Sequence, residues 1–258
     1  MKKIALLLFA GAALSLSCSS DDDASAPPVD SDTVYLPVDA GNYWVYNVSG
    51  SLQNGRDSLY VANDTVIAAK TYKKFKTKTG PSGFYSGALN NNGVRKEGDK
   101  LLVTGSADVN FSEDFPFTIA ITDLVLFKES AAVNEELSRV TGSITETYNN
   151  IDFKLDHILT TTAKEDVASL TVSGEQFTNV KTVETRINLK ISLVAFPLEV
   201  LPAQDVLVSK QFYAKDTGVI KTETNFTYTI PATFATQFSI PATANETQQE
   251  LLVDYSAE

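Results

Sequence analysis

The chain has 258 residues, 43% of them hydrophobic and 21% charged, with 32 acidic against 21 basic side chains and a formal net charge of −11. That balance repels phosphate backbones and excludes nucleic acid as a natural partner. A lone cysteine rules out intramolecular disulfides, so a folded body must rest on its own core, for which the length is ample.

Lys2 and Lys3 are followed by an apolar stretch from Ile4 to Leu16, and Cys18 ends it. About 13 apolar residues are too few to span a bilayer, which takes about 20, and fit the core of an export signal. Ser15 and Ser17 present narrow side chains to a peptidase. The segment resembles a lipoprotein signal peptide, although Ser15 stands where Leu is commonest. It implies cleavage after residue 17, acylation of Cys18 and a membrane anchor. Ser19-Ser20-Asp21-Asp22-Asp23 is similar to the serine-plus-acidic signal that sends flavobacterial lipoproteins to the cell surface, which implies an outer-membrane, surface-exposed address. Residues 18–33, with Pro27, Pro28 and five aspartates, have too few apolar side chains to fold and read as a leash.

From residue 34 to 258 no linker divides the chain, and one domain is expected. Period-two alternation dominates: Phe117, Ile119 and Ile121; Ile187, Leu189, Ile191 and Leu193; Phe226, Tyr228 and Ile230. Turn residues recur at Asn54-Gly55, Gly80-Pro81, Asn90 to Gly93, Gly98-Asp99 and Asn149-Asn150, which joins the strands as antiparallel hairpins. The expected fold is mainly β: a large curved antiparallel sheet, either an open half-barrel or a β-sandwich, with at most one or two short helices. Ala131 to Val140 and Glu246 to Leu252 read as those helices. The echo of Ile-Pro-Ala-Thr at 230 and 240, with Phe234 and Phe238 between, reads as two proline-ended strands.

Tyr35-Leu36-Pro37 and Gly41-Asn42-Tyr43-Trp44-Val45-Tyr46, followed by Gly174 to Val180 and Tyr213 to Lys221, resemble the strands of a large group of Bacteroidota surface lipoproteins. That resemblance implies a curved sheet akin to the half-barrel of lipoprotein carriers such as LolA, and carries over no catalytic residue. The residues themselves assign Trp44 and Tyr46 to the core and Gly218 to a turn that needs positive φ.

The search for chemistry finds little. His157 is the only histidine, and Asp156 beside it on a strand points to the opposite face, which spoils a catalytic pair. No Gly-x-Ser-x-Gly, phosphate loop, dinucleotide fingerprint or calcium loop is present. Glu113-Asp114 and Glu135-Glu136 read as solvated charge. No catalytic residue, metal or cofactor is therefore expected. Asp32-Thr33-Val34, Asp57-Ser58-Leu59 and Asp64-Thr65-Val66 resemble an O-glycosylation acceptor, with Thr33, Ser58 and Thr65 as the sites; turn and strand-start chemistry explains the same triplets. Two roles stay open. One is a non-enzymatic binding or structural lipoprotein with a glycan or envelope protein as partner. The other is a carrier for an apolar ligand, suggested by the apolar runs 123–127 and 193–201, although burial within the sheet is the preferred reading of both runs.

Overall fold

The computed structural model describes residues 34–110, 116–148, 150–196, 198–238 and 240–257. Twelve strands run in chain order: β1 (Tyr43–Gly50), β2 (Gly55–Ile67), β3 (Lys70–Thr77), β4 (Gly93–Glu97), β5 (Lys100–Asn110), β6 (Pro116–Lys128), β7 (Glu136–Tyr148), β8 (Ile151–Val172), β9 (Glu175–Leu193), β10 (Glu199–Ala214), β11 (Gly218–Thr229) and β12 (Thr243–Ser256). Helix α1 (Phe84–Leu89) interrupts the β3–β4 connection, and α2 (Ala232–Phe238) the β11–β12 connection.

All strands belong to one antiparallel sheet, in the order β6-β5-β4-β3-β2-β1-β12-β11-β10-β9-β8-β7. Each strand except β6 pairs with its successor, and β12 returns to β1, with Tyr46 opposite Leu252. The sheet therefore curls into a nearly closed barrel with its seam between β6 and β7. Across that seam the Thr161 hydroxyl donates to the Val125 carbonyl at 2.6 Å, and Lys128 pairs with Glu135 at 2.7 Å. Of the two expected forms, the single curved sheet is the one found, and it curls well beyond an open half. Both β and its alternation are borne out: Phe117, Ile119, Ile121, Ile187, Leu189, Ile191, Phe226 and Tyr228 are all buried.

Because the strands meander, the odd-to-even connections share one rim, which carries α1 and α2. The other rim is closed by the segment before β1 and by the β8–β9 hairpin. Tyr35 packs against Phe127 with ring centroids 5.0 Å apart, and Leu36 is buried beside them. The last β9–β10 pair is Lys181 with Tyr213, so the hairpin tip runs on past β10. There Ser173 donates to the Leu252 carbonyl at 2.6 Å, and Val172, Phe177 and Val180 are buried.

Trp44 and Tyr46 are fully buried on the inner face of β1, as expected of core aromatics. Gly218 opens β11 at φ +105°, and a Cβ there would stand 2.9 Å from Leu36 Cδ1 and 3.1 Å from Trp44 Nε1. Both the backbone and the space demand glycine. Gly218→Ala is expected to cost about 1–3 kcal/mol of stability in urea titration.

Three expectations fail. Ala131 to Val140 is not helical: Asn134 turns at φ +66°, and Glu136 onward pairs with β8, Val140 opposite Leu159. Glu246 to Leu252 lies in β12, paired on both sides with β1 and β11, with Gln248, Glu250 and Leu252 facing inward. In both segments strand pairing overrides local helix propensity. Residues 232–238, read as strand, are helix α2. Pro231 opens it, its carbonyl accepting from the Phe234 and Ala235 amides, and Phe234 stacks on Phe238 one turn later at 6.2 Å.

The apolar runs divide. Leu124 and Phe127 are buried, as expected. In the second run, Val200 and Leu201 are buried, but Val194, Phe196 and Leu198 are 54%, 63% and 52% exposed. The Leu193 amide donates to the Leu198 carbonyl at 3.0 Å, closing the β9–β10 turn and leaving its middle outside the sheet.

Candidate functional site

The barrel interior is the first place to look for a site, and α1 occupies its mouth. Tyr85 and Leu89, four residues apart, turn into the core, and Ser86 is fully buried with them. So short a helix is not self-supporting. Its own N-cap, Gly83, supplies no side-chain bond, and the sheet does so instead. Asp57 of β2 accepts from the Ser82 and Gly83 amides at 2.8 and 2.7 Å. Gln248 of β12 accepts from Phe84 at 2.9 Å. Glu250 accepts from Tyr85 at 2.6 Å, from the Ser86 amide and hydroxyl at 3.2 and 2.8 Å, and from Thr222 at 3.2 Å. Gly83 is required here, since a Cβ would lie 2.2 Å from the Glu250 carboxylate. Two buried carboxylates thus meet the positive end of a helix dipole. Burial pushes the Glu250 carboxyl above its ordinary range, Asp57 adds to the rise, and the Ser86 and Tyr85 bonds oppose it.

A polar ladder continues from this clamp across the inner face. Ser209 and Thr224 hydroxyls lie 2.8 Å apart, Gln211 donates to Ser209 at 2.8 Å, and Thr185 donates to Gln211 at 3.1 Å. Between α1 and the strands remains an apolar cavity of about 40 Å3, bordered by Leu89, Val103, Leu124, Ile187 and Tyr213. Ligand pockets run to about 300 Å3 and more, so this space admits a water or two and no acyl chain.

His157 also faces inward, 7% exposed, its ring packed over Gly142 and its Nδ1 without a hydrogen bond. Asp156 lies on the other face, as expected, and instead pairs with Lys154 at 2.8 Å. Desolvation lowers the His157 pKa, against a weaker opposing pull from Asp156. The unfolded chain therefore takes up a proton below about pH 6.5 more readily than the folded one, and stability falls as pH falls through that range. His157→Leu is expected to flatten this part of the profile, read by urea unfolding between neutral and mildly acidic pH.

The outer face carries a charge cluster with no local sequence signature, since its members come from three strands. Asp123, at φ +49° in a bulge of β6, accepts from Lys70 at 2.6 Å, Tyr72 at 2.5 Å and Arg95 at 3.2 Å. The bonds from Lys70 and Tyr72 hold its carboxyl well below the usual carboxylate range. Arg95 also bonds Glu97 and lies 5.5 Å above the Tyr72 ring. The cluster spends its charges internally and pins β3, β4 and β6 together.

Of the residues singled out by sequence, Cys18, Ser19, Ser20, Asp21, Asp22, Asp23 and Thr33 lie outside the described residues. So do Glu113 and Asp114. Ser58 and Thr65 are half-buried on β2, some seven residues apart along one strand, and Ser58 is opposite Val45. Asp57, the acid of the Ser58 triplet, is committed to α1. Among the described residues no three His, Cys, Asp or Glu side chains gather as metal ligands, and no helix is long and apolar enough to cross a membrane. The chain matches no family model, no curated protein and no solved structure.

Proposed function

We propose that this is a lipid-anchored lipoprotein of the outer membrane, exposed at the cell surface, with a non-enzymatic role in binding or structure exerted through the outer face of its barrel. The address rests on the sequence: Cys18 behind a short apolar leader, then Ser19 to Asp23 and the leash. The observation that carries the second half is the occupied interior. With α1 clamped in the mouth and about 40 Å3 left beneath it, the described space under the helix is too small to receive a ligand. Recognition falls to the outer face, whose side chains are held on a rigid sheet.

Labelled palmitate tests the anchor: the wild-type product incorporates it, and Cys18→Ala loses both label and membrane association. Protease treatment of intact cells tests exposure, since replacement of Asp21, Asp22 and Asp23 should then protect the domain. A membrane-bound, unlabelled product would refute the anchor. The second reading, a carrier for an apolar ligand, is favoured by the apolar lining of the cavity and requires α1 to swing out of the barrel.

A further inference from the structure

The outer face holds a groove of about 440 Å3 over β8 to β11, and two cross-strand rungs form its floor. In the first, Lys210 of β10 stands opposite Glu184 of β9 on one side and Glu223 of β11 on the other. In the second, Phe212 stands between Thr182 and Lys221. Side chains two residues apart on a strand share a face, so the six form one array.

The array leaves specific groups unclaimed. Glu184 is engaged by Lys164 at 3.2 Å and Arg186 at 2.9 Å, and Glu223 by Lys221 at 2.7 Å. Lys210, placed between two carboxylates, forms an ion pair with neither, and Glu165 on the groove wall has no ion pair among the described residues. Thr182 is 6% exposed and its hydroxyl has no hydrogen-bond partner. Burial without a partner is costly for a hydroxyl. The Phe212 ring lies in the same floor, with the Lys221 ammonium over it, 5.6 Å from the centroid.

We infer that this groove binds a neutral polyhydroxylated ligand, a sugar residue. An anion entering it meets the carboxylates of Glu165, Asp166, Glu184 and Glu223; a cation meets Lys164 and Lys210, with Lys221 beside Phe212. A sugar avoids both conflicts, because each hydroxyl donates to a carboxylate and accepts from an ammonium or hydroxyl, while its C–H face lies on an aromatic ring. The groove is also of ligand size, which the interior cavity is not. The inference rests on the reading that recognition uses the outer face, and names the ligand class for it.

The test is saturation-transfer NMR and calorimetry on the full lipidated protein in a sugar-free zwitterionic detergent, with glucose, galactose, N-acetylglucosamine, maltose and cellobiose. At least one saccharide is expected to bind saturably, and Lys210→Ala and Phe212→Ala are each expected to weaken it about tenfold. Both positions lie on the outer face, and an unchanged unfolding curve establishes that each variant is folded. Absence of binding across the panel, undiminished binding by both folded variants, or equal displacement of the sugar by glycine would overturn the inference. Palmitate labelling and cell-surface proteolysis are independent of this outcome, so failure here leaves the proposed address standing or falling by itself.

Discussion

Glu250→Ala is expected to destabilise the protein by about 3 kcal/mol or more in urea titration, the cost of stranding several buried donors at once. The carboxylate is fully buried and accepts from two backbone amides, two hydroxyls and no cation. Its removal leaves the Tyr85 and Ser86 amides unsatisfied in an interior that water barely enters. Glu250→Gln separates charge from shape, retaining one acceptor oxygen but presenting an amide to the Ser86 donors, and is expected to cost less. The pH dependence has a definite sign. Because burial raises the Glu250 pKa, the unfolded chain ionises first as pH rises past about 4.5, and the folded state loses stability until its own pKa is passed. The glutamine variant has no such loss, so its deficit relative to wild type should narrow from acid to neutral pH. A deficit that widened would contradict the burial of an ionisable carboxyl at this position.

Trp44→Ala is the second large effect, expected at about 3–5 kcal/mol, the range for deleting a fully buried large aromatic. Trp44 is fully buried, stacks on Phe75 with ring centroids 5.9 Å apart, and donates from Nε1 to the Thr217 carbonyl at 2.5 Å. That bond ties β1 to the β10–β11 turn across the rim closed by Leu36. The loss therefore combines a cavity with an orphaned carbonyl. Trp44→Phe keeps most of the packing and loses the bond, so about 1–2 kcal/mol is expected. Trp44 is the only tryptophan, so the alanine variant must be followed by circular dichroism, whereas wild-type unfolding is reported by its emission. Equal costs for the two variants would place the stabilisation in the hydrogen bond rather than in the ring.

The sheet was legible in the sequence wherever one face is buried and the other wet. Ile187, Leu189 and Ile191 alternate with Asn188 and Lys190, and that pattern admits no helix. The glycine at 218 and the aromatics at 44 and 46 declared their roles for equally local reasons, a positive φ and a large apolar side chain. The helices were not legible. What makes α1 a helix is Asp57, Gln248 and Glu250, up to 165 residues away, and no window around residue 84 contains them. Conversely, Glu246 to Leu252 has helix-forming composition and becomes strand because β1 and β11 need a partner. The site suffers from the same distance. Lys210 between Glu184 and Glu223 is an arrangement of register, and three residues from three strands carry no mutual signal until the pairing is known. The proposed export signal is the opposite case, a local message whose whole content lies in residues 2 to 23.

Recognition through the outer face requires an interior that stays closed around α1. Native-state hydrogen exchange of the Tyr85 and Ser86 amides tests it most directly, because both bond to Glu250 and both must be freed for the barrel to open. Exchange only through global unfolding, with the free energy given by urea titration, is the predicted result. Exchange at the rate of an exposed loop, while the strand amides of β11 and β12 remain protected, would show α1 leaving a standing barrel and would return the inner face to contention as the binding surface.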